Sequence, residues 1–166
     1  MQWEEKREYE PLAGQEQTAL ETLLSHPDPS FRRGAALALG EISNDSVIAA
    51  LVRALHDPEK DVRAAAVTAL GSIGPPAIGA LMGALADENW VVRYRAAEAL
   101  GSIRDGRSVS ALIQALGDRR DHVRYMAAKS LGELGERRAI GPLTSALADE
   151  NAFVRRAAKE ALASLG

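Results

Sequence analysis

Apolar positions recur along this chain on two scales. Within short segments they follow helical spacing: Ile78, Leu81, Met82 and Leu85 fall at i, i+3, i+4 and i+7, and Val92, Ala96, Ala97, Ala99, Leu100 and Ile103 form a second stripe. Asp87-Glu88-Asn89 separates the two with turn and N-cap chemistry, and Arg104-Asp105-Gly106 closes the second. On the longer scale, an apolar residue followed by arginine returns at Phe31-Arg32, Val62-Arg63, Val92-Arg93, Val123-Arg124 and Val154-Arg155. The arginine steps are 31, 30, 31 and 31 residues, and a leucine sits seven residues after each arginine. A glycine follows the first four of those leucines; Ala163 follows the fifth.

A period near 31 predicts a repeat array in which each unit is a helix pair, A then B. The expected fold is all-α: five stacked two-helix units, about ten helices, over residues 15–166. The units run approximately 15–43, 44–74, 75–104, 105–135 and 136–166, behind an acidic tail or cap at 1–14. Pro76 and Pro142 lie early in their A helices, where a missing N–H costs little. Alanines at the middle of each B helix, such as Ala35-Ala36, Ala66 and Ala96-Ala97, let neighbouring helices approach closely. Lys159, Thr144 and Ala163 put polar or non-glycine residues at stacking positions of the last unit, and Glu21 does so in the first. That reads as two caps with no large missing domain.

An acid stands six residues before four of the five arginines: Asp57, Asp87, Asp118 and Asp149 precede Arg63, Arg93, Arg124 and Arg155. A turn aspartate can accept backbone N–H groups and face the guanidinium of its own or the adjacent unit. Recurrence in every unit beside a core residue favours a structural ladder over an anion site.

These residues resemble the HEAT-repeat superfamily, in the short-repeat form named after the phycobilin lyases. The pattern D-x5-R-x2-AA-x2-LG-x-I appears as Asp87, Arg93, Ala96-Ala97, Leu100-Gly101 and Ile103. The resemblance implies a right-handed α-solenoid that acts as a protein-binding scaffold, with B helices lining the concave side. It also admits a bilin lyase or isomerase component as the alternative, and a nucleic-acid-binding protein as a weaker one.

On a helical wheel the B-helix core lies at −1, +3, +6, +7 and +10 from the arginine, and the open arc at −2, +1, +2, +5 and +9, with −3 at its edge. In the first two units that arc is small or polar. In units three to five it carries Trp90, Tyr94, Arg95, Glu98, His122, Tyr125, Met126, Phe153 and Arg156. Four of the chain's seven aromatics therefore fall on one arc of adjacent units, a composition suited to interface anchors. These nine residues are the candidate partner-binding set, and the expected partner is a protein or peptide. Trp3 and Tyr9 of the tail have no obvious core to join.

Composition narrows the chemistry. With 46% apolar residues a sizeable core is available, and with no Cys there is no thiolate catalysis or cysteine metal site. No apolar run approaches the roughly 18 residues of a membrane span and no signal pattern opens the chain, so no membrane is expected and the cytoplasm is the default compartment. Net charge is −3, but residues 1–25 hold −4 and the remainder +1; a near-neutral body argues against nucleic acid, which calls for a basic stripe. His26, His56 and His122 lie in separate units and none precedes a glutamate, so the His-Glu pairs of iron-binding HEAT-like hydroxylases are missing. No catalytic residue, metal or cofactor is expected; homo-oligomerisation is open but nothing indicates it.

Overall fold

The computed structural model describes residues 20, 22 and 24–166. The tail at 1–14, with Trp3 and Tyr9, and the expected cap residue Glu21 lie outside the described residues. Nine α-helices have complete bounds among those described: α1 (Pro29–Leu39), α2 (Asp45–Ala54), α3 (Lys60–Ile73), α4 (Ile78–Ala84), α5 (Trp90–Ile103), α6 (Val109–Ala115), α7 (Asp121–Leu134), α8 (Ile140–Ala146) and α9 (Ala152–Leu165). Leu20, Thr22 and Leu24 are helical and belong to the A helix of the first unit. Odd-numbered helices are thus the B helices and even-numbered ones the A helices. No strand occurs among the described residues.

The chain is an α-solenoid of helix pairs. Side-chain caps start several helices: Asp28 accepts the Ser30 N–H, Asn44 the Val47 N–H, Asn89 the Val91 N–H and Asn151 the N–H groups of Phe153 and Val154. Single 3₁₀ turns at Pro75–Ala77, Gly106–Ser108 and Arg137–Ala139 lead into α4, α6 and α8. Pro76 sits in the first of these turns, and Pro142 is the third residue of α8, where no intrahelical donor is lost.

One continuous core runs the length of the described array. Leu51, Leu70, Leu81, Leu100, Leu112, Leu131 and Leu143 are fully buried in it, each drawn from a different helix. Each B helix packs side by side on the next, from α1 to α3 and so on to α9, whereas the shorter A helices meet one another far less. The B layer is thus the more closely packed of the two. Its close approach depends on small residues: a Cβ added at Gly101 would meet Ser130 Cα at 3.0 Å, and one at Gly132 would meet Ala161 Cα at 2.9 Å. The buried Ser130 hydroxyl crosses that seam to donate to the Ala97 carbonyl at 2.8 Å.

Phe31, expected in the core because it precedes the first repeat arginine, is instead 46% exposed, while its counterparts Val62, Val92, Val123 and Val154 are fully buried. Its ring lies against His26, with centroids 4.3 Å apart.

Candidate functional site

The turn aspartates and repeat arginines form rungs between neighbouring units. Arg32 Nε and Nη2 donate to the two carboxylate oxygens of Asp57, at 2.7 and 3.0 Å. Arg93 does the same to Asp118 at 2.7 and 2.9 Å, and Arg124 to Asp149 at 2.8 and 3.0 Å. These are bidentate fork pairs, and each carboxylate also accepts the backbone N–H two residues on, from Glu59, Arg120 and Asn151. The remaining nitrogen of each guanidinium holds carbonyls of its own turn; Arg93 Nη1 donates to Asp87 O and Glu88 O. Burial alone would raise the Asp57 and Asp118 carboxyls, but the facing guanidinium and the backbone N–H outweigh it and hold both below the usual carboxylate range. At Asp149 the Arg124 hydrogen bond is the leading cause of the same depression. Arg155 reaches the carbonyls of Asp149 and Glu150. Arg63 and Asp87 are not paired with each other: Arg63 Nη1 donates to the Asp57 and Pro58 carbonyls, while Asp87 Oδ2 lies 3.0 Å from His56 Nε2.

The aromatic face begins where α5 begins. Trp90 follows the Asn89 cap, and its ring is flanked by His122 at a centroid distance of 5.0 Å and by the Arg120 guanidinium at 5.2 Å. Both flanking residues come from the start of α7, so this cluster sits at one edge of the B layer. Asp121 fixes the next step along that edge. Its Oδ1 is 2.8 Å from His122 Nδ1, and its Oδ2 accepts from Asn151 Nδ2 at 2.6 Å. The His122 contact, followed by the His122 backbone N–H, lowers the Asp121 pKa. Asp121, His122, Tyr125, Asn151 and Phe153 together line a groove of about 310 Å³. Phe153 is 70% exposed, the most exposed large apolar side chain among the described residues.

Further inside, Tyr94 and Tyr125 are half-buried and pack their rings on the core. Burial pushes the Tyr94 hydroxyl up in pKa. The Arg95 guanidinium lies 5.3 Å from the Tyr94 ring centre and donates to Glu98 Oε2 at 2.6 Å. Arg156 Nε donates to Glu160 at 2.8 Å, and Lys129 Nζ is 3.8 Å from Glu133. The charges of this face are thus matched within their own helices. The two exposed i, i+4 pairs contribute only about 0.2–0.5 kcal/mol each, so little is lost when a partner re-pairs them, whereas Arg95 and Glu98 are part-buried.

Met126 does not belong to this face. It is 3% exposed and part of the core. The same register position holds Ala65 and Ala157, both 4% exposed. Packing of neighbouring helices covers this position in those three units, which the wheel of an isolated helix leaves out, while Arg95 at the same position in α5 stays part-exposed. The structure brings Trp90, His122, Tyr125 and Phe153 onto one rim, places Tyr94, Arg95 and Glu98 beneath it, and leaves Arg156 exposed on α9.

Over α1 and α3 the same face is polar: Ser30, Arg33, Asp61 and Thr68 line a shallow depression with Leu37 and two alanines. Among the described residues no three His, Asp or Glu side chains converge as metal ligands, and no single helix is long and apolar enough to cross a membrane.

The family model for HEAT repeats matches residues 16–89 and again 78–163. No curated protein matches the chain in sequence. Among solved structures it is similar to a chain of the complex of CpcE and CpcF of phycocyanin lyase from Nostoc sp. PCC7120, with 26% identity and a TM-score of 0.64 over 90% of this chain. It spans 64% of the length of that chain. Human deoxyhypusine hydroxylase in complex with glycerol is similar at 19% identity and a TM-score of 0.60, covering 92% of this chain and 74% of that one. A designed armadillo repeat protein in complex with the peptide (KR)4 is similar at 20% identity and a TM-score of 0.54, covering 90% and 82%. At those two lower identities the likeness concerns the fold alone.

Proposed function

The chain belongs to the HEAT-repeat family, and from that premise we propose that it is a non-enzymatic scaffold that grips a protein or peptide on the concave B-helix face of units three to five. The observation that carries this reading is the rim of Trp90, His122, Tyr125 and Phe153, set across three successive B helices beside a groove. Aromatic side chains on a rigid layer are good anchors, because they add large apolar area with few rotatable bonds to freeze. The charges around them form ion pairs within their own helices.

The test is a Trp90→Ala, Tyr125→Ala double variant. It is expected to keep its helical circular dichroism and to lose capture of its partner from lysate. Hot-spot truncations of about 2 kcal/mol or more correspond to a loss of roughly 30-fold or greater. Unchanged capture by a folded double variant rejects this face. Phe153→Ala supplies a cleaner single test: its ring is mostly in solvent, so unfolding stability should move by no more than about 0.5 kcal/mol while capture weakens.

The likeness to a phycocyanin lyase chain favours one second reading, a subunit of a bilin lyase or isomerase. Incubation with a bilin and an apo-phycobiliprotein tests it; no change in visible absorbance removes it.

A further inference from the structure

The joint between the second and third units differs from its neighbours at three levels. The first level is length. A single residue, Gly74, links α3 to its following 3₁₀ turn, where Arg104-Asp105 and Gly135-Glu136 stand after α5 and α7. Gly74 adopts φ 75° and ψ −139°, a conformation essentially confined to glycine. The lost residue is the one that turns a 31-residue step into 30.

The second level is the rung. The three formed rungs join an arginine to an aspartate 25 residues on. Arg63 and Asp87 are one residue closer in sequence, and the fork does not close. Arg63 Nε is buried without a hydrogen-bond partner. The neighbouring turns are bridged instead by His56 and Asp87, through a single contact at 3.0 Å whose imidazole is about half exposed. One such contact replaces two charge-assisted, part-buried bonds.

The third level is the B–B seam. A Cβ at Gly40, Gly101 or Gly132 would lie within about 3 Å of backbone in the next helix, meeting Ala69 Cα at 2.9 Å, Ser130 Cα at 3.0 Å and Ala161 Cα at 2.9 Å. At Gly71 the nearest carbon, Ser102 Cβ, is 3.8 Å away, and only the Ser102 hydroxyl comes close. The seam is also stitched differently. Ser130 donates across its seam to Ala97 O at 2.8 Å, whereas Ser102 donates to Ala99 O of its own helix; Ser164 also donates to its own helix, at Ala161 O, but lies 3.3 Å from Gly132 O across its seam.

The geometry points to a hinge at Gly74, about which the first two units move relative to the last three. Repeat arrays couple only through neighbours, so a joint with fewer cross-links is where bending concentrates. The pivot lies between the polar half of the concave face and its aromatic half, so bending changes the angle at which the two halves meet any occupant. The inference stands on the joint itself and is independent of what the face binds.

The chain has no cysteine, which makes paired spin labels straightforward. An Ala49→Cys, Ser110→Cys pair spans the joint, and an Ala80→Cys, Thr144→Cys pair spans two units of the second half; all four positions are exposed on A helices. The label distance distribution across the joint is expected to be roughly twofold wider than the control. Equal widths overturn the hinge. A second variant inserts one aspartate after Gly74, restoring the two-residue connection and the 25-residue spacing from Arg63 to Asp87. Its distribution across the joint is expected to narrow to the control width. A folded insertion variant that stays as wide overturns the short connection as the cause.

Discussion

Replacing Arg93 by alanine is expected to destabilise the array by about 3–5 kcal/mol, the range found when one member of a buried ion pair is removed. The Arg93 side chain is 5% exposed and Asp118 11%, so the surviving carboxylate is left in a site built for a guanidinium. The same substitution also frees the Asp87 and Glu88 carbonyls that Arg93 Nη1 holds. Urea unfolding followed by circular dichroism measures the loss. Because units couple through neighbours, the transition should broaden or split as α5 and α7 lose their bridge. Arg63→Ala gives the contrast. Its fork is not closed on an aspartate, so its removal should cost clearly less than that of Arg93.

The rung also sets the sign of the acid response. The Asp57, Asp118 and Asp149 carboxyls lie below their ordinary values in the folded chain. A depressed acid contributes stability that is fully present above its unfolded pKa, near 4, and lost as pH falls through the lower folded value. The arginines stay charged throughout. Stability should therefore be flat with respect to these groups from neutrality down to about pH 4 and fall below it. In Arg93→Ala the share of that fall due to Asp118 disappears, so the variant and parent should converge in acid.

Much of this was legible in the sequence because stacking imposes one register on every unit. The apolar-arginine pair marks the first turn of each B helix, and from it the bounds of α5 and the buried leucines can be read. The ladder residues are visible too, as an aspartate six positions before an arginine, yet the spacing within a unit conceals that the guanidinium reaches forward to the next turn. Met126 shows what a helical wheel omits: it treats each B helix as having one covered side, whereas an inner helix is covered on both flanks by its neighbours. Ala65 and Ala157, small at the same register position, carried that signal. The 30-residue step was visible as a number, but its effect depends on how far a fork can reach across a seam, which only the spatial arrangement supplies.

The glycines convert that difference between seams into a measurable series. Gly101→Ala is expected to destabilise by about 1–3 kcal/mol, the usual cost of overpacking, although alanine in a helix interior normally gains up to about 1 kcal/mol over glycine. The added methyl would meet Ser130 Oγ at 2.5 Å, Cβ at 2.7 Å and Cα at 3.0 Å, and that hydroxyl is already committed to the Ala97 carbonyl. Gly132→Ala faces Ala161 Cβ and Cα at 2.8 and 2.9 Å and should behave alike. Gly83→Ala, on the outer face of α4 with nothing within 4 Å, should instead stabilise by roughly 0.5–1 kcal/mol. Gly71→Ala falls between them, since it displaces a rotatable hydroxyl and meets no carbon closer than 3.8 Å. The order of the urea midpoints thus reads seam tightness directly. If Gly71→Ala costs as much as Gly101→Ala, the second seam is as close as the third and the glycine after each leucine answers to the helix itself. If the series holds, that glycine answers to the neighbouring helix.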